Sequence, residues 1–112
     1  MKPFSQFPTP NKKNIDFILA DIDDTLTHNG RLPADVFVAM ERLKEAEIRT
    51  IPITGRPAGW CDHIARMFSY FPHSVGVANV LQFKGMMDHS PAWVTKREGG
   101  YGFFEMVDSL LS

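Results

Sequence analysis

The sequence predicts an α/β protein in which a small parallel sheet of about four strands is flanked by helices. Short apolar segments typical of buried strands alternate along the chain with segments that carry an apolar stripe at helical spacing. The chain has 112 residues, of which 44% are hydrophobic, so it can bury a core within one domain. Strands that alternate with amphipathic helices form βα units, and the strands of such units run parallel.

The predicted strands are short apolar runs that end in carboxylates or turn residues, at 15–22, 50–54, 74–78 and 92–95. The first predicted helix spans 34–47, because its apolar residues recur at intervals of three and four and Pro33 suits the start of a helix. A second helical stripe runs from Trp60 to Phe71 and a last one from Phe103 to Leu111. Residues 80–87 are predicted as a short helix or turn.

Residues 1–14 are predicted to form a flexible N-terminal arm, followed by a single domain over 15–112. Prolines at positions 3, 8 and 10 remove backbone hydrogen-bond donors and fix φ, which favours a flexible segment over a strand or helix.

Charge and composition exclude several classes of protein. The 12 Lys and Arg residues balance 13 Asp and Glu, which argues against a dedicated nucleic-acid or anionic-membrane protein. No apolar stretch approaches the roughly 18–20 residues of a membrane span. The single cysteine, Cys61, excludes an internal disulfide framework, so a cytoplasmic protein is expected.

The segment 21–27, DIDDTLT, follows the first predicted strand directly. Residues two apart in an extended chain point the same way, so Asp21 and Asp23 are expected to face one pocket. One carboxylate of such a pair can attack a phosphoryl group, and the other can protonate the leaving oxygen and later activate water. Because a carboxylate repels a phosphate dianion, Mg²⁺ is expected to bridge the two.

Two other interpretations of these aspartates arise from the residues. Aspartates after a strand often cap helices or form turns, and Asp24 is assigned that role. A calcium-binding loop is excluded, because counting from Asp21 the sixth position is Leu26 rather than Gly and the twelfth is Leu32 rather than Glu.

A second polar segment, Thr54-Gly55-Arg56, follows the second predicted strand. A Thr hydroxyl and a Gly amide at the carboxyl end of a strand can donate hydrogen bonds to phosphate oxygens. Arg56 can contact a phosphate monoester or form a local salt bridge. By itself the segment also fits an ordinary strand-to-helix turn.

Together, residues 21–27 and the segment IPITGRP at 51–57 resemble the haloacid dehalogenase (HAD) superfamily, most closely its capped, sugar-phosphatase-like branch. The resemblance continues in 67–80, 91–95 and 100–103, and covers nearly everything from Ile15 to Leu111. It implies a Rossmann-like core, an Asp21 nucleophile that becomes phosphorylated, and an Asp23 general acid/base. It also implies Mg²⁺ bound by the Asp21 carboxylate and the Asp23 backbone carbonyl, with the phosphate held by Thr54. Thr25, Gly55 and Arg56 are expected to surround the same phosphate.

Parts of the family pattern are missing from this chain. No Gly-Asp dipeptide of the fourth family motif occurs, and the cap and the Lys-bearing third motif are absent. The resemblance therefore implies an internal deletion near Arg66-Met67 that leaves a reduced HAD core without a cap. Lys96, which follows the fourth predicted strand, is a candidate substitute for the missing lysine. Loss of the bordering strand is expected either to pair residues 74–78 with the first strand or to leave an edge open for a partner chain.

The predicted function is Mg²⁺-dependent hydrolysis of a small phosphorylated metabolite, with weak or broad specificity because no cap covers the site. The alternative is a catalytically impaired HAD-like remnant that binds metal or phosphate, or that serves as an oligomerising module. A homo-oligomer would allow a second subunit to complete the site.

Overall fold

The computed structural model describes residues 1–53, 73–83 and 90–112 of the chain. In these residues the chain is a small α/β protein of parallel strands and helices. The strands are β1 (Lys2–Pro3), β2 (Phe17–Asp21), β3 (Arg49–Ile53), β4 (Val75–Gly76) and β5 (Trp93–Val94). The α-helices are α1 (Thr9–Lys12), α2 (Ala34–Glu45) and α3 (Gly99–Leu111). A π-helical turn covers Ile22–Leu26, and 3-10 segments cover Phe4–Gln6 and Ala78–Phe83.

The strands form two parallel sheets where the sequence predicts one. β2 pairs with β3, and Asp21 lies opposite Ile53 at their carboxyl ends. The second sheet has the order β1-β5-β4. Among the described residues, β4 pairs with β5 and not with β2, so the edge of β2 is not closed by residues 74–78. One cavity is lined by β2 of the first sheet and by β4 of the second.

Residues 2–7 pack onto the core, in contrast to the loose arm expected from the prolines. β1 pairs with β5, and Phe4 and Phe7 are buried with 2% and 5% of their surface exposed. Their rings stack with centroids 4.9 Å apart, and Phe7 also meets Trp93 edge to face at 5.4 Å. Burial of two aromatic side chains outweighs the missing Pro3 donor, which an edge strand tolerates.

Helix α2 begins and ends on local signals that the sequence carries. Pro33 precedes it as the N-cap, with φ −62°, and Asp35 lies in the first turn, where a negative charge is favourable. At the other end, the N–H of Ile48 donates to the carbonyl of Leu43 at 2.9 Å. Glu47 between them has φ 62°, the left-handed conformation that closes such a helix end.

Helices α2 and α3 pack on each other, α2 also contacts β3, and α3 contacts the π-helical turn that follows β2. Their buried side chains include Val36, Ala39 and Leu43 from α2 and Phe103, Val107 and Leu110 from α3. A surface ion pair, Arg42 to Asp108 at 2.9 Å, joins the two helices. Within 1–53, 73–83 and 90–112, the structure contains no helix whose length and apolar character would suffice for a membrane span.

Gly100 lets α3 approach the loop that follows β2. A Cβ atom there would lie 2.5 Å from the carbonyl oxygen of Leu26 and 2.6 Å from Cγ2 of Val36. Although Ala normally favours a helix over Gly by about 1 kcal/mol, we expect Gly100→Ala to lower the free energy of unfolding by about 1–3 kcal/mol through overpacking. Urea unfolding measures the change, and Ser109→Ala on the same helix is the control. A stabilised Gly100→Ala variant would contradict this packing.

Two predicted elements fall on residues that the structure does not describe. The helical stripe from Trp60 to Phe71 lies outside the described residues, and so does the part of the predicted 80–87 segment beyond Phe83. The described part of that segment is the 3-10 helix Ala78–Phe83.

Candidate functional site

Asp21 is the last residue of β2, at the carboxyl end of the strand. Its surface is 9% exposed, and Ala20 before it is also buried. Carboxylates rarely reach this degree of burial in the absence of a structural or chemical role. The sequence predicts a carboxylate at the end of a buried strand, and the structure places Asp21 there.

The chain turns sharply after Asp21. The N–H of Thr27 donates to the carbonyl of Ile22 at 3.1 Å, the i to i+5 bond of a π-helical turn. Strand alternation predicts extended backbone at both Asp21 and Asp23, but in the structure this alternation ends at Asp21, because Asp23 belongs to the turn. The side chains of Asp23 and Asp24 lie outside the described part of the structure.

Thr25 and Asp21 line the same cavity, which has a volume of about 330 Å³. Thr25 comes from the π-helical turn and is half-buried. Most of the remaining lining is apolar and comes from β2, β4, α3 and the N-terminal aromatic residues. The structure therefore brings together one of the two predicted catalytic carboxylates and one of the predicted phosphate ligands.

The other predicted phosphate ligands, Thr54, Gly55 and Arg56, lie outside the described residues. The strand that leads to them is described up to Ile53, which lies directly opposite Asp21 in the parallel pair β2–β3. The carboxyl ends of the two strands are therefore level, and ligand sites of parallel α/β sheets form at these ends.

A tight hairpin follows the π-helical turn and leads into α2, and the residue before the hairpin is bonded to α3. His28 and Arg31 exchange backbone hydrogen bonds of 2.7 and 3.1 Å, and both central residues, Asn29 and Gly30, have positive φ. The N–H of Gly100 donates to the carbonyl of Thr27 at 3.2 Å. These bonds fix the backbone on the far side of the turn that carries Thr25.

The cavity is also lined by polar residues that sequence reasoning missed, among them Asn79 and Thr95. Oδ1 of Asn79 accepts a hydrogen bond from the N–H of Gly99 at 2.8 Å, and the hydroxyl of Thr95 donates to the carbonyl of Arg97 at 2.9 Å. Both side chains hold the start of α3 in place. The available signal was their position at the end of predicted strands, since Asn79 follows the strand predicted at 74–78 and Thr95 is the last residue of the one predicted at 92–95.

Lys96 does not stand out as a replacement for the missing motif lysine. It is exposed, and its backbone N–H donates to the carboxylate of Glu105 on α3 at 2.9 Å. It is not among the described residues that line the cavity with Asp21.

The oxygen donors near the end of β2 are of the type that Mg²⁺ prefers. They are the carboxylate of Asp21, the backbone carbonyls of the π-helical turn and the hydroxyl of Thr25. In the part of the chain that the structure describes, no three His, Cys, Asp or Glu side chains converge as a metal cluster. The donors present fit a hydrated hard cation that keeps several waters.

Comparisons with known proteins complete the description of this site. No family model, no curated protein and no solved structure matches the chain.

Proposed function

We propose that the chain is a reduced HAD-type phosphatase, a Mg²⁺-dependent hydrolase of phosphate monoesters that forms an aspartyl phosphate on Asp21. One observation carries this proposal. Asp21 is a mostly buried carboxylate at the carboxyl end of a parallel strand, and it lines a cavity together with Thr25. Ligand sites of parallel α/β proteins form at this end of the strands.

In the proposed first step, a carboxylate oxygen of Asp21 attacks the phosphorus atom, and the bond from phosphorus to the ester oxygen breaks. Asp23 lies two residues after Asp21, in the π-helical turn, and donates a proton to the departing alkoxide. In the second step Asp23 takes a proton from a water molecule, whose oxygen attacks the phosphorus of the acyl phosphate. Inorganic phosphate leaves and the Asp21 carboxylate is restored.

The other site residues bind and orient the phosphoryl group in this proposal. The hydroxyls of Thr25 and Thr54, the N–H of Gly55 and the guanidinium of Arg56 donate hydrogen bonds to its oxygens. The level ends of β2 and β3 support this assignment, because Ile53 lies opposite Asp21 and Thr54 is the next residue. Mg²⁺, held by the Asp21 carboxylate and the Asp23 carbonyl, would neutralise the repulsion between carboxylate and phosphate.

Phosphate release from p-nitrophenyl phosphate at pH 6–7 tests this function. With millimolar Mg²⁺ we expect turnover, and with excess EDTA we expect it to fall to the rate without protein. Adding Mg²⁺ beyond the chelator should restore it, because hard-cation binding through few protein ligands is reversible. A folded protein that releases no more phosphate with Mg²⁺ than with EDTA would contradict the proposed function.

A second candidate function, a module that binds a partner chain, is favoured by a different observation. The cavity beside Asp21 is also lined by β4, which comes from the other sheet, and by the apolar side of α3.

A further inference from the structure

The cavity between the sheets follows the edges of two strands. It is lined by every residue from 14 to 21 on one side and by every residue from 73 to 77 on the other. Because successive side chains of a strand point to opposite faces of the sheet, a cavity on one face would touch alternate residues. A cavity that touches every residue must run beside the backbone. We call this space the inter-sheet slot.

The backbone of β2 turns polar groups toward the slot. The carbonyl of Asp16 accepts from the N–H of Arg49, so Asp16, Ile18 and Ala20 direct their backbone groups toward β3. In a parallel ladder the intervening residues direct theirs to the opposite edge. The N–H and C=O of Leu19 therefore point into the inter-sheet slot.

The backbone of β4, on the opposite side of the slot, also directs polar groups toward it. The carbonyls of Ser74 and Gly76 accept from the N–H groups of Trp93 and Thr95, at 3.0 and 2.9 Å. The N–H and C=O of Val75 consequently face away from β5, and Val75 lines the slot. Among the described residues, β2 pairs with β3 alone and β4 with β5 alone. The second edge of β2 is therefore not hydrogen-bonded to the second edge of β4.

One side of the inter-sheet slot is apolar. Phe103, Met106 and Leu110 of α3 line it, and all three are buried. The slot also reaches the surface, because the wall residues Phe17 and His73 are exposed. A chain can therefore enter from solvent and place apolar side chains against α3.

The backbone N–H and C=O groups that line the slot determine which kind of molecule can bind there. Each wall offers backbone hydrogens with partial positive charge and carbonyl oxygens with partial negative charge. A hydrocarbon would leave these groups without hydrogen bonds, at a cost of about 1–3 kcal/mol for each buried group. An extended peptide presents the complementary N–H and C=O groups on both of its edges at matching spacing.

We propose that the inter-sheet slot binds a short extended strand of a partner polypeptide, with apolar side chains at alternate positions toward α3. The bound strand bonds to Leu19 of β2 on one edge and to Val75 of β4 on the other. It thereby joins the two sheets into one. The bonds of this interaction come from the backbone of Leu19 and Val75 and not from the Asp21 carboxylate, so its test does not depend on the proposed phosphatase chemistry, although Asp21 lines the same cavity.

The experiment uses the full chain and the acetylated, amidated peptide KVTVTVK, whose valines alternate with threonines. Binding is followed by the fluorescence anisotropy of labelled peptide and by amide hydrogen exchange of the protein. We expect saturable binding, with exchange at Leu19 and Val75 slowed at least tenfold. Exchange at Ile18 and Ala20, whose N–H groups already face β3, should change far less.

The control is the same peptide with the three valine nitrogens methylated, which keeps the side chains and removes one edge of donors. We expect it to bind at least tenfold more weakly. Equal binding of both peptides, or protection elsewhere than Leu19 and Val75, would overturn the proposal. Protection that appears without peptide and grows with protein concentration would also overturn it, because a second copy would then fill the slot.

Discussion

Replacing Asp21 with Asn is expected to abolish phosphate release, with a loss of about 10³-fold or more. The amide has nearly the same shape as the carboxylate but lacks the negative charge and the nucleophilic oxygen. Asp21 is the buried carboxylate at the end of β2 that shares the cavity with Thr25. Mg²⁺-dependent turnover of p-nitrophenyl phosphate measures the effect.

Asp108→Asn is the matched control for this experiment. Asp108 is exposed on α3, and its ion pair with Arg42 lies on the surface, where such pairs contribute about 0–1 kcal/mol to stability. Its turnover should stay within about twofold of the wild type. A folded Asp21→Asn variant with wild-type activity would rule out the aspartyl phosphate on Asp21. Circular dichroism of both variants verifies folding.

The second large effect concerns stability. Phe4→Ala is expected to lower the free energy of unfolding by about 3–5 kcal/mol, because it removes a buried aromatic ring and the contacts that the ring makes in the core. Phe4 is 2% exposed, stacks on Phe7 and belongs to the main hydrophobic core. For a domain of this size the melting temperature should fall by more than about 10 °C.

Phe37→Ala is the same substitution at a site on α2 where the ring is 57% exposed. We expect a change below about 1 kcal/mol there. Differential scanning calorimetry or urea unfolding compares the two variants. Equal, small effects would show that residues 2–7 contribute nothing to stability, as a loose arm would.

Local sequence patterns were sufficient for two of the main elements and for the position of Asp21 at the end of a strand. The apolar run before Asp21 predicted a strand, and the three-and-four spacing after Pro33 predicted a helix; both elements are present as β2 and α2. Each depends on interactions within a few residues, such as periodic burial and helix capping. For the same reason Asp21 could be placed at the carboxyl end of a strand.

The backbone after Asp21 was predicted less well. Strand alternation suggested that Asp21 and Asp23 share a face, but the π-helical turn Ile22–Leu26 begins immediately after Asp21. This turn is stabilised by its bond from Thr27 to Ile22 and by the contact of the next loop with Gly100. Gly100 is more than seventy residues away in the sequence, so the residues around Asp21 do not reveal this contact.

By itself, then, the sequence determined the α/β class, the strand that ends at Asp21 and the helices with one apolar face. The tertiary structure alone decided which strands pair. It joined β1 to β5, buried Phe4 and kept β4 apart from β2. Strand pairing joins backbone groups that every residue type carries, so the choice of partner depends on long-range packing rather than on local composition.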